Sequence, residues 1–450
     1  MRTSVPDTER RAILTELNTT LDRLAPSYPG ESDRRQPVHT VYGGAHRFRF
    51  DTARRLGDKA LAVLREYASD PATLARALGL DREIAELTYP RVVAKLEREP
   101  VEDFRLDFED GYGHRPDAEE DACAVSAADE VARALEQGTL PPFIGIRIKS
   151  LGRETAARGL RTLDLFVTRL LERTRGVLPG GFAITLPKVI TPMQVTALVR
   201  ALTAIESHSG LPAGALALEL MVETTQSIFG DDGQLALPAL VAAAAGRCVG
   251  AHFGVYDHTA SCSITAQQQH MGHPACESAR QLMLIALAGR GVALSDGATN
   301  VLPVPVHRSQ NDAPLTMEQR RDNEAQIHRA WRHHFADARH SLETGFYQGW
   351  DLHPAQLVSR YAAVYSFFLD GLEAATTRLR NFVEMASQAT LVGDVFDDAA
   401  TGQGLLNFFL RGWSCGALTD EECLRTGLSR DELLTRSFPR ILDSRRRRSR

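Results

Sequence analysis

The sequence predicts an α/β fold: about eight strand–helix units closed into a (β/α)8 TIM barrel, with a helical extension before it and a helical appendage after it. Short apolar runs typical of buried strands alternate with helical periodicity between residues 38 and 380. This alternation requires a parallel sheet, because each helix is a crossover between strands of one direction. Polar residues follow the ends of several strands; a closed barrel brings those ends together, whereas an open sheet would spread them apart.

Each element follows from a local pattern. The predicted strands lie at 38–42, 104–110, 141–148, 182–187, 216–222 and 249–256, followed by one that begins at 292–294 and an eighth at 345–352. The predicted helices lie at 51–68, 117–137, 153–173, 191–208, 236–246, 275–289 and 315–343, with shorter helical pieces up to residue 99. In the second strand, Phe104, Leu106 and Phe108 alternate with polar residues, which is the period of a strand with two different faces.

The chain divides into three parts. Residues 1–36 hold an amphipathic helix at 7–24 and a linker rich in Pro, Gly and charge. Residues 37–380 form the barrel, which exceeds the roughly 250 residues of a plain barrel and so requires insertions. Residues 381–450 form a helical segment with a helix at 402–411 and a basic tail, Arg445–Arg448, which we expect to be disordered and solvated.

Composition excludes several classes of protein. The formal net charge of -5 over 450 residues gives no general attraction to nucleic acid or to anionic membranes. No apolar run reaches the roughly 20 residues that span a bilayer, and the N-terminus lacks the apolar core of a signal peptide. The six cysteines form no CxxC pair. We therefore expect a soluble, cytoplasmic protein with reduced thiols and neither a nucleic-acid nor a membrane partner.

Five polar residues stand at or just past successive strand ends: Asp110, Arg147, Lys188, Glu223 and Asp257. Two neighbouring carboxylates, Glu223 and Asp257, suit Mg²⁺ or Mn²⁺, which keep waters and leave positions for substrate oxygens. Such a metal polarises the carbonyl of a 2-oxo acid, and Arg147 could contact the developing enolate oxygen. Each acid taken singly could instead be a helix cap or an ion-pair partner, and Lys188 could form a Schiff base, although a metal site argues against that chemistry.

Seven motifs in this order resemble the superfamily of the citrate lyase β-subunit, malyl-CoA lyase and HpcH/HpaI aldolases. They are FRLDFEDGYG (104–113), IGIRI (144–148), ITLPKV (184–189), LELMVETTQSIF (218–229), FGVYDHT (253–259), ALSDGATN (293–300) and GWDLHPAQL (349–357). The resemblance covers about residues 38–410. It implies a TIM barrel with a divalent metal, usually magnesium, and an assembly of several identical subunits.

The resemblance also implies roles for individual residues. Glu223 and Asp257 match the metal ligands, and Arg147 matches the arginine that contacts the substrate's carboxylate or carbonyl. Glu109 and Asp110 match an acidic pair at the floor of the site. The family's HP.Q segment corresponds to residues 353–356.

In members that use CoA, a C-terminal segment of one subunit covers the neighbour's site and carries a catalytic acid. Residues 392–406 resemble that segment, with Asp397 or Asp398 as the candidate acid, although either could be part of a capped loop. One departure from the family lies beside the site: Lys149 stands where asparagine is usual.

These observations predict a Mg²⁺-dependent carbon–carbon lyase or aldolase acting on a hydroxy acid or its CoA thioester through an enolate. In this reading Arg147, Asp110 and Asp397 are catalytic, and Arg147, Glu109 and Lys188 bind a small 2-oxo or hydroxy acid. Two other classes remain open: thioester hydrolysis or phosphoenolpyruvate-linked transfer on the same scaffold, and a non-catalytic paralogue that binds a metabolite.

Overall fold

Eight parallel strands close into one barrel in the order in which they occur in the chain, so the predicted (β/α)8 fold is confirmed. The structure is a computed structural model that describes residues 3–30, 34–309, 314–384, 390–392, 395–397 and 399–448. The barrel strands are β1 His39–Gly44, β2 Asp103–Asp107, β3 Phe143–Arg147, β4 Ala183–Leu186, β5 Ala217–Val222, β6 Cys248–Phe253, β7 Ala293–Ala298 and β8 Gln348–Asp351. Each strand pairs with the next, and β8 returns to β1 through the register pair Val41 and Asp351.

Helices surround the barrel and extend beyond it at both termini. In chain order they are α1 Asp7–Leu24, α2 Thr52–Tyr67, α3 Pro71–Leu78, α4 Arg82–Arg98, α5 Asp117–Glu136, α6 Ala156–Thr174, α7 Pro192–Ser209, α8 Thr225–Ile228, α9 Leu237–Ala243, α10 Val255–Ser261, α11 Pro274–Leu287, α12 Met317–Glu343, α13 Gln356–Asp370, α14 Leu372–Glu384, α15 Ala399–Ser414, α16 Asp420–Leu424, α17 Arg430–Leu434 and α18 Phe438–Arg448. A hairpin of β9 Thr390–Val392 and β10 Val395–Asp397 lies between α14 and α15. Within the described ranges, none of these helices is both long and apolar enough to cross a bilayer.

Strand alternation sends apolar residues outward to the helices and polar residues into the barrel. In β2 the outward Phe104 packs against Phe48, whose ring centroid lies 5.2 Å away, and Leu106 is fully buried. The inward face of the same strand carries Asp103, Arg105 and Asp107. The interior of this barrel is therefore a polar network, and its uppermost layer faces the mouth formed by the carboxyl ends of the strands.

Several predicted strand ends differ from the structure, and two of them move a site residue. The second predicted strand, 104–110, stops at Asp107, because the carboxylate of Asp107 accepts hydrogen bonds from the N–H groups of Glu109 and Gly111 and thereby turns the chain. The sixth, 249–256, ends at Phe253, and α10 begins two residues later, so Asp257 lies in the first turn of a helix. Asp296 lies within β7, the strand predicted to begin at 292–294, and it pairs with Arg280 and Ser341 between the barrel and its helices.

The C-terminal helices fold against the amino-terminal end of the same barrel. Arg411 of α15 donates to the side chain of Gln36, which in turn donates to the carbonyl oxygen of Leu294 at the beginning of β7. Arg91 of α4 binds Glu422 of α16 with both terminal nitrogens, at 2.7 and 3.2 Å. This appendage therefore lies at the end of the barrel opposite the mouth.

One expectation about the termini is revised, and one is confirmed. The expected disordered tail at Arg445–Arg448 is wrong for the described residues, because α18 extends to Arg448 and Arg445 binds Glu432 at 2.7 Å. The predicted helix at 7–24 is present as α1, but none of its residues is buried. Its apolar side chains are each about half exposed: Ile13, Leu14, Leu17, Leu21 and Leu24.

Candidate active site

Arg147 forms the floor of the mouth and is fixed by Asp107. Its Nε and Nη2 atoms donate to the two oxygens of the Asp107 carboxylate at 2.8 and 2.5 Å, and both side chains are about 2% exposed. Burial alone would raise the pKa of Asp107, but the guanidinium and two backbone N–H donors hold that pKa below its usual value. Asp107 therefore positions the arginine and the loop that begins with Glu109.

Lys188 joins the acids of the mouth. Its Nζ atom donates to Glu109 Oε1 at 2.5 Å and lies 3.3 Å from Asp110 Oδ2 and 3.4 Å from Asp257 Oδ2. Its backbone has a φ of +50°, a left-handed conformation that a residue with a side chain adopts only when its surroundings impose it. That conformation directs the N–H of Lys188 to Glu223 Oε1, at 2.6 Å.

Glu223 is a buried carboxylate among other acids. It follows β5, its residue is 1% exposed, and the absence of a Cβ at Gly254 makes room for it: a Cβ there would lie 2.5 Å from Glu223 Oε2. Burial raises the pKa of Glu223 to about 8, and repulsion from Asp257 and Glu109 adds to the effect of burial. A carboxylate whose ionised form is disfavoured in this way is stabilised by a cation placed between it and Asp257.

The donor set fits a hard divalent cation. Glu223 and Asp257 offer carboxylate oxygens, and in the described part of the chain Glu223 Oε2 accepts no hydrogen bond. No group of three or more His, Cys, Asp or Glu residues within the described ranges has an arrangement that could hold a metal ion. Two carboxylates completed by water and substrate oxygens remain compatible with Mg²⁺ or Mn²⁺, which retain several waters in protein sites.

A polar layer beneath the mouth supports the site from inside the barrel. Arg105 binds both oxygens of Glu219, at 3.0 and 2.7 Å, and Thr185 donates to the same carboxylate at 3.0 Å. Burial would raise the pKa of Glu219, but Arg105 and His252 hold it well below its usual value. Glu219 therefore lies below Glu223 on the same strand face as a charged support, paired with Arg105.

Two aromatic rings cover one side of Arg147. The guanidinium carbon lies 5.1 Å from the centroid of Tyr42 and 5.5 Å from that of Trp350, and the two rings lie 4.3 Å apart. The hydroxyl of Tyr42 is within 3.1 Å of His252 Nδ1. Cation–π contact and the Asp107 carboxylate thus hold the guanidinium from two directions.

The structure brings six of the seven predicted site residues to one mouth. They are Glu109, Asp110, Arg147, Lys188, Glu223 and Asp257. Asp110 lies at the rim with its side chain 60% exposed, 3.7 Å from Arg147 Nη1. Asp397 is the last residue of β10, in a hairpin that contacts α14; its side chain and the whole of Asp398 lie outside the described residues.

Lys149 and Gln356 hold the loops around the mouth in place. Lys149, which replaces the usual asparagine, is buried and donates to the carbonyl oxygen of Phe108 at 2.7 Å while pairing with Glu120 at 2.9 Å. It therefore anchors the loop that carries Glu109. In the HP.Q segment, Gln356 accepts the N–H groups of Leu352 and His353, which fixes the start of α13.

Sequence reasoning missed Asp107, Tyr42, Trp350 and Gly254. The alternation of β2 carried a usable signal for Asp107, because it places Asp107 two residues after Arg105 on the inward face. Trp350 lies inside the GWDLHPAQL motif, but a tryptophan in a strand is by itself typical of a core residue. Nothing local in the sequence distinguishes Gly254 from other glycines.

Solved structures of three other proteins resemble this chain at low sequence identity. A citrate lyase from Burkholderia xenovorans LB400 is 17% identical with a TM-score of 0.55, covering 87% of this chain and 97% of that chain. The protein CitE from Mycobacterium tuberculosis, in complex with magnesium, acetoacetate and coenzyme A, is 16% identical with a TM-score of 0.46, covering 85% and 98%. A malate synthase from Haloferax volcanii, as a magnesium/glyoxylate complex, is 16% identical with a TM-score of 0.44, covering 88% and 89%.

The likeness to the citrate lyase shows a shared fold, the TIM barrel that the seven motifs also imply. No curated protein matches this sequence. A family model described as a domain of unknown function, DUF6986, matches residues 17–441, and the chain therefore belongs to that family.

Proposed function

We propose that this protein is a Mg²⁺-dependent carbon–carbon lyase or aldolase that acts on a hydroxy acid or its CoA thioester through an enolate. The observation that carries the proposal is the buried carboxylate of Glu223, which faces Asp257 and Glu109 beside the guanidinium of Arg147. The seven ordered motifs and the barrel shared with a citrate lyase support the same chemistry.

Glu223 and Asp257 would hold Mg²⁺, or Mn²⁺ in its place. When bound, the ion supplies Lewis-acid polarisation of a carbonyl oxygen. Arg147 binds the carboxylate or the carbonyl oxygen of the substrate from the floor of the mouth, where burial strengthens the attraction between its positive charge and an anionic oxygen. Glu109 and Lys188 line the same space and orient the substrate, Glu109 through its second oxygen and Lys188 through its ammonium.

The cleavage needs a group that accepts a proton. Breaking the carbon–carbon bond moves the hydroxyl proton of the substrate to a carboxylate, turns the hydroxyl carbon into a carbonyl, and leaves the bonding electrons on the enolate. The exposed Asp110 carboxylate at the rim can accept that proton. Asp397 is the second candidate acid, and it would act in a homo-oligomer in which one subunit's hairpin reaches its neighbour's mouth.

Isothermal titration calorimetry tests the metal site. We expect Glu223→Gln to weaken Mg²⁺ binding at least about tenfold, because an amide carries no charge to attract the ion. Binding of glyoxylate, pyruvate or oxaloacetate in the presence of Mg²⁺ should fall with it. Glu343→Gln, at an exposed position at the end of α12, is the matched control and should bind like the wild type.

Equal Mg²⁺ affinity in Glu223→Gln and the wild type would contradict the assigned site. Product analysis separates the reactions: a lyase releases two carbon fragments, whereas a thioesterase releases free CoA without an aldehyde or ketone product. Sedimentation velocity of the full chain, of mass 49.4 kDa, tests the homo-oligomer.

A further inference from the structure

Trp350 carries a buried hydrogen-bond donor with no partner in the described part of the chain. Its indole Nε1 atom is enclosed and makes no hydrogen bond there. Such atoms are rare because a buried donor that has lost water and gained no acceptor destabilises the folded state. The two other tryptophans are satisfied: Trp331 Nε1 donates to the carbonyl oxygen of Ala355 at 2.7 Å, and Trp413 Nε1 donates to Asp420 at 2.7 Å.

The alternation of β8 places the side chain of Trp350 at the mouth of the barrel. Gln348, two residues earlier on β8, donates its side-chain amide to Thr40 Oγ1 inside the barrel, at 2.8 Å. Because strand residues two apart share a face, Trp350 lies on the same inner face, one layer nearer the carboxyl ends of the strands. Its ring contacts Tyr42 and lies 5.5 Å from the Arg147 guanidinium.

A second unsatisfied donor lies beside it. Arg147 Nη1 is buried and makes no hydrogen bond within the described residues; its ion pair with Glu109 Oε2, at 3.1 Å, lacks hydrogen-bond geometry, and that oxygen is unsatisfied as well. The remaining guanidinium nitrogens, Nε and Nη2, each donate to the carboxylate of Asp107. Among the described residues, the mouth thus presents two N–H groups that donate no hydrogen bond, one neutral and one cationic, on neighbouring side chains.

We propose that the indole N–H of Trp350 and Nη1 of Arg147 together bind a carboxylate of the small 2-oxo acid in this mouth. The inference rests on the proposed function and adds to it a neutral donor, the indole N–H, beside the charged guanidinium. Two donors on one side recognise an anionic oxygen better than a neutral carbonyl, because hydrogen bonds to an ionised acceptor are the stronger ones. The hydroxyl of Tyr42 already has two partners, since it lies 3.1 Å from His252 Nδ1 and donates to Met221 Sδ at 3.6 Å.

Trp350→Phe tests this inference in the full chain, because phenylalanine keeps an aromatic ring under Arg147 and removes only the N–H and part of the indole. We expect calorimetry with pyruvate, at saturating Mg²⁺, to show a dissociation constant about tenfold higher than that of the wild type. The Mg²⁺ affinity and the melting temperature should stay at wild-type values. Trp413→Phe removes an indole far from the mouth and should leave pyruvate binding unchanged.

Fluorescence gives a direct second readout. The chain has three tryptophans, so Trp331→Phe combined with Trp413→Phe leaves Trp350 as the single reporter. Its emission should change on titration with pyruvate, following the calorimetric affinity. Unchanged emission, or wild-type pyruvate affinity in Trp350→Phe, overturns the inference while leaving the metal site intact.

The two proposals fail in different ways. Weakened pyruvate binding in Trp350→Phe without any carbon–carbon cleavage by the wild type supports the donor pair and contradicts the lyase. Cleavage activity with equal pyruvate affinity in both proteins supports the lyase and contradicts the donor pair. A wild-type protein that binds neither pyruvate nor glyoxylate overturns both.

Discussion

At the scale of single residues, the glycine at position 254 controls where the Glu223 carboxylate can lie. A Cβ at that position would meet Glu223 Cβ and Oε2 at 2.5 Å, a distance that real contacts do not reach. The backbone φ of −103° at Gly254 is accessible to any residue, so the obstacle is steric and involves no backbone strain. The substitution Gly254→Ala therefore acts on the site through one displaced carboxylate.

We expect Gly254→Ala to weaken Mg²⁺ binding about tenfold or more by calorimetry, because a ligand moved by even 1 Å no longer matches the ion's narrow range of distances. Gly272→Ala is the control: its new Cβ would lie 3.6 Å from the nearest atom, the ring nitrogen of His270, which is ordinary contact. Wild-type Mg²⁺ affinity in a folded Gly254→Ala protein would contradict the position assigned to Glu223.

Some residues of the site can be predicted from the sequence, and others are difficult to assign. Glu223, Arg147 and Lys188 were predictable, because each lies at or just past the carboxyl end of a recognisable apolar strand. Asp107 was harder to assign despite the alternation of β2, since Glu109 and Asp110, two and three residues later, are equally good candidates in the sequence. Which acid bonds Arg147 depends on how the chain turns after β2, and that turn is made by Asp107 itself.

At the scale of secondary-structure elements, all eight strands were predicted, and their errors concentrate at the carboxyl ends. The apolar run of β6 continues through Val255 and Tyr256, but these residues belong to α10 and are held by packing against the neighbouring helix α11. An apolar residue in a strand and one on the buried face of a short helix look alike in the sequence. Positions near the mouth therefore carry the largest uncertainty in a sequence-based assignment.

The last two helices of the chain are joined by an ion pair that should respond to pH. Hydrogen bonds from Arg445 of α18 lower the pKa of Glu432 in α17 from 4.5 to about 2. A carboxylate with a lowered pKa stabilises the folded state above its unfolded pKa, and that stabilisation is lost as the pH falls from about 4.5 towards 2. Glutamine at this position can still accept the N–H of Ser429 but cannot ionise.

We therefore expect Glu432→Gln to have a lower melting temperature than the wild type at pH 7, with the difference shrinking as the pH falls below about 4.5. Thermal unfolding followed by circular dichroism between pH 7 and pH 3.5 measures it. Glu421→Gln, an exposed neighbour on α16, should match the wild type throughout. A difference that stays constant with pH would show that the glutamate acts through its shape alone.

At the scale of the whole molecule, the C-terminal helices pack at the amino-terminal end of the barrel, opposite the mouth, whereas α1 has no buried residue. The contacts of α1 run to the short 3-10 turn Ala25–Ser27 that follows it, and no residue of the helix is buried. Arg91 of α4, by contrast, ties the C-terminal appendage to the barrel through Glu422 and the carbonyl oxygen of Ala417. Removing the whole of α1 should therefore cost less stability than the single loss of the Arg91 side chain.

Removing residues 1–24 should change the free energy of unfolding by no more than about 0.5 kcal/mol, the range of exposed substitutions. The single change Arg91→Met should cost about 1–3 kcal/mol, because it leaves the largely buried carboxylate of Glu422 without its partner. Urea denaturation of the two variants beside the wild type compares them directly. A larger loss of stability from the deletion would contradict this expectation. It would indicate that the half-exposed leucines of α1 are covered by another copy of the chain in solution. Sedimentation velocity of the truncated protein would then show a lower mass than that of the full chain.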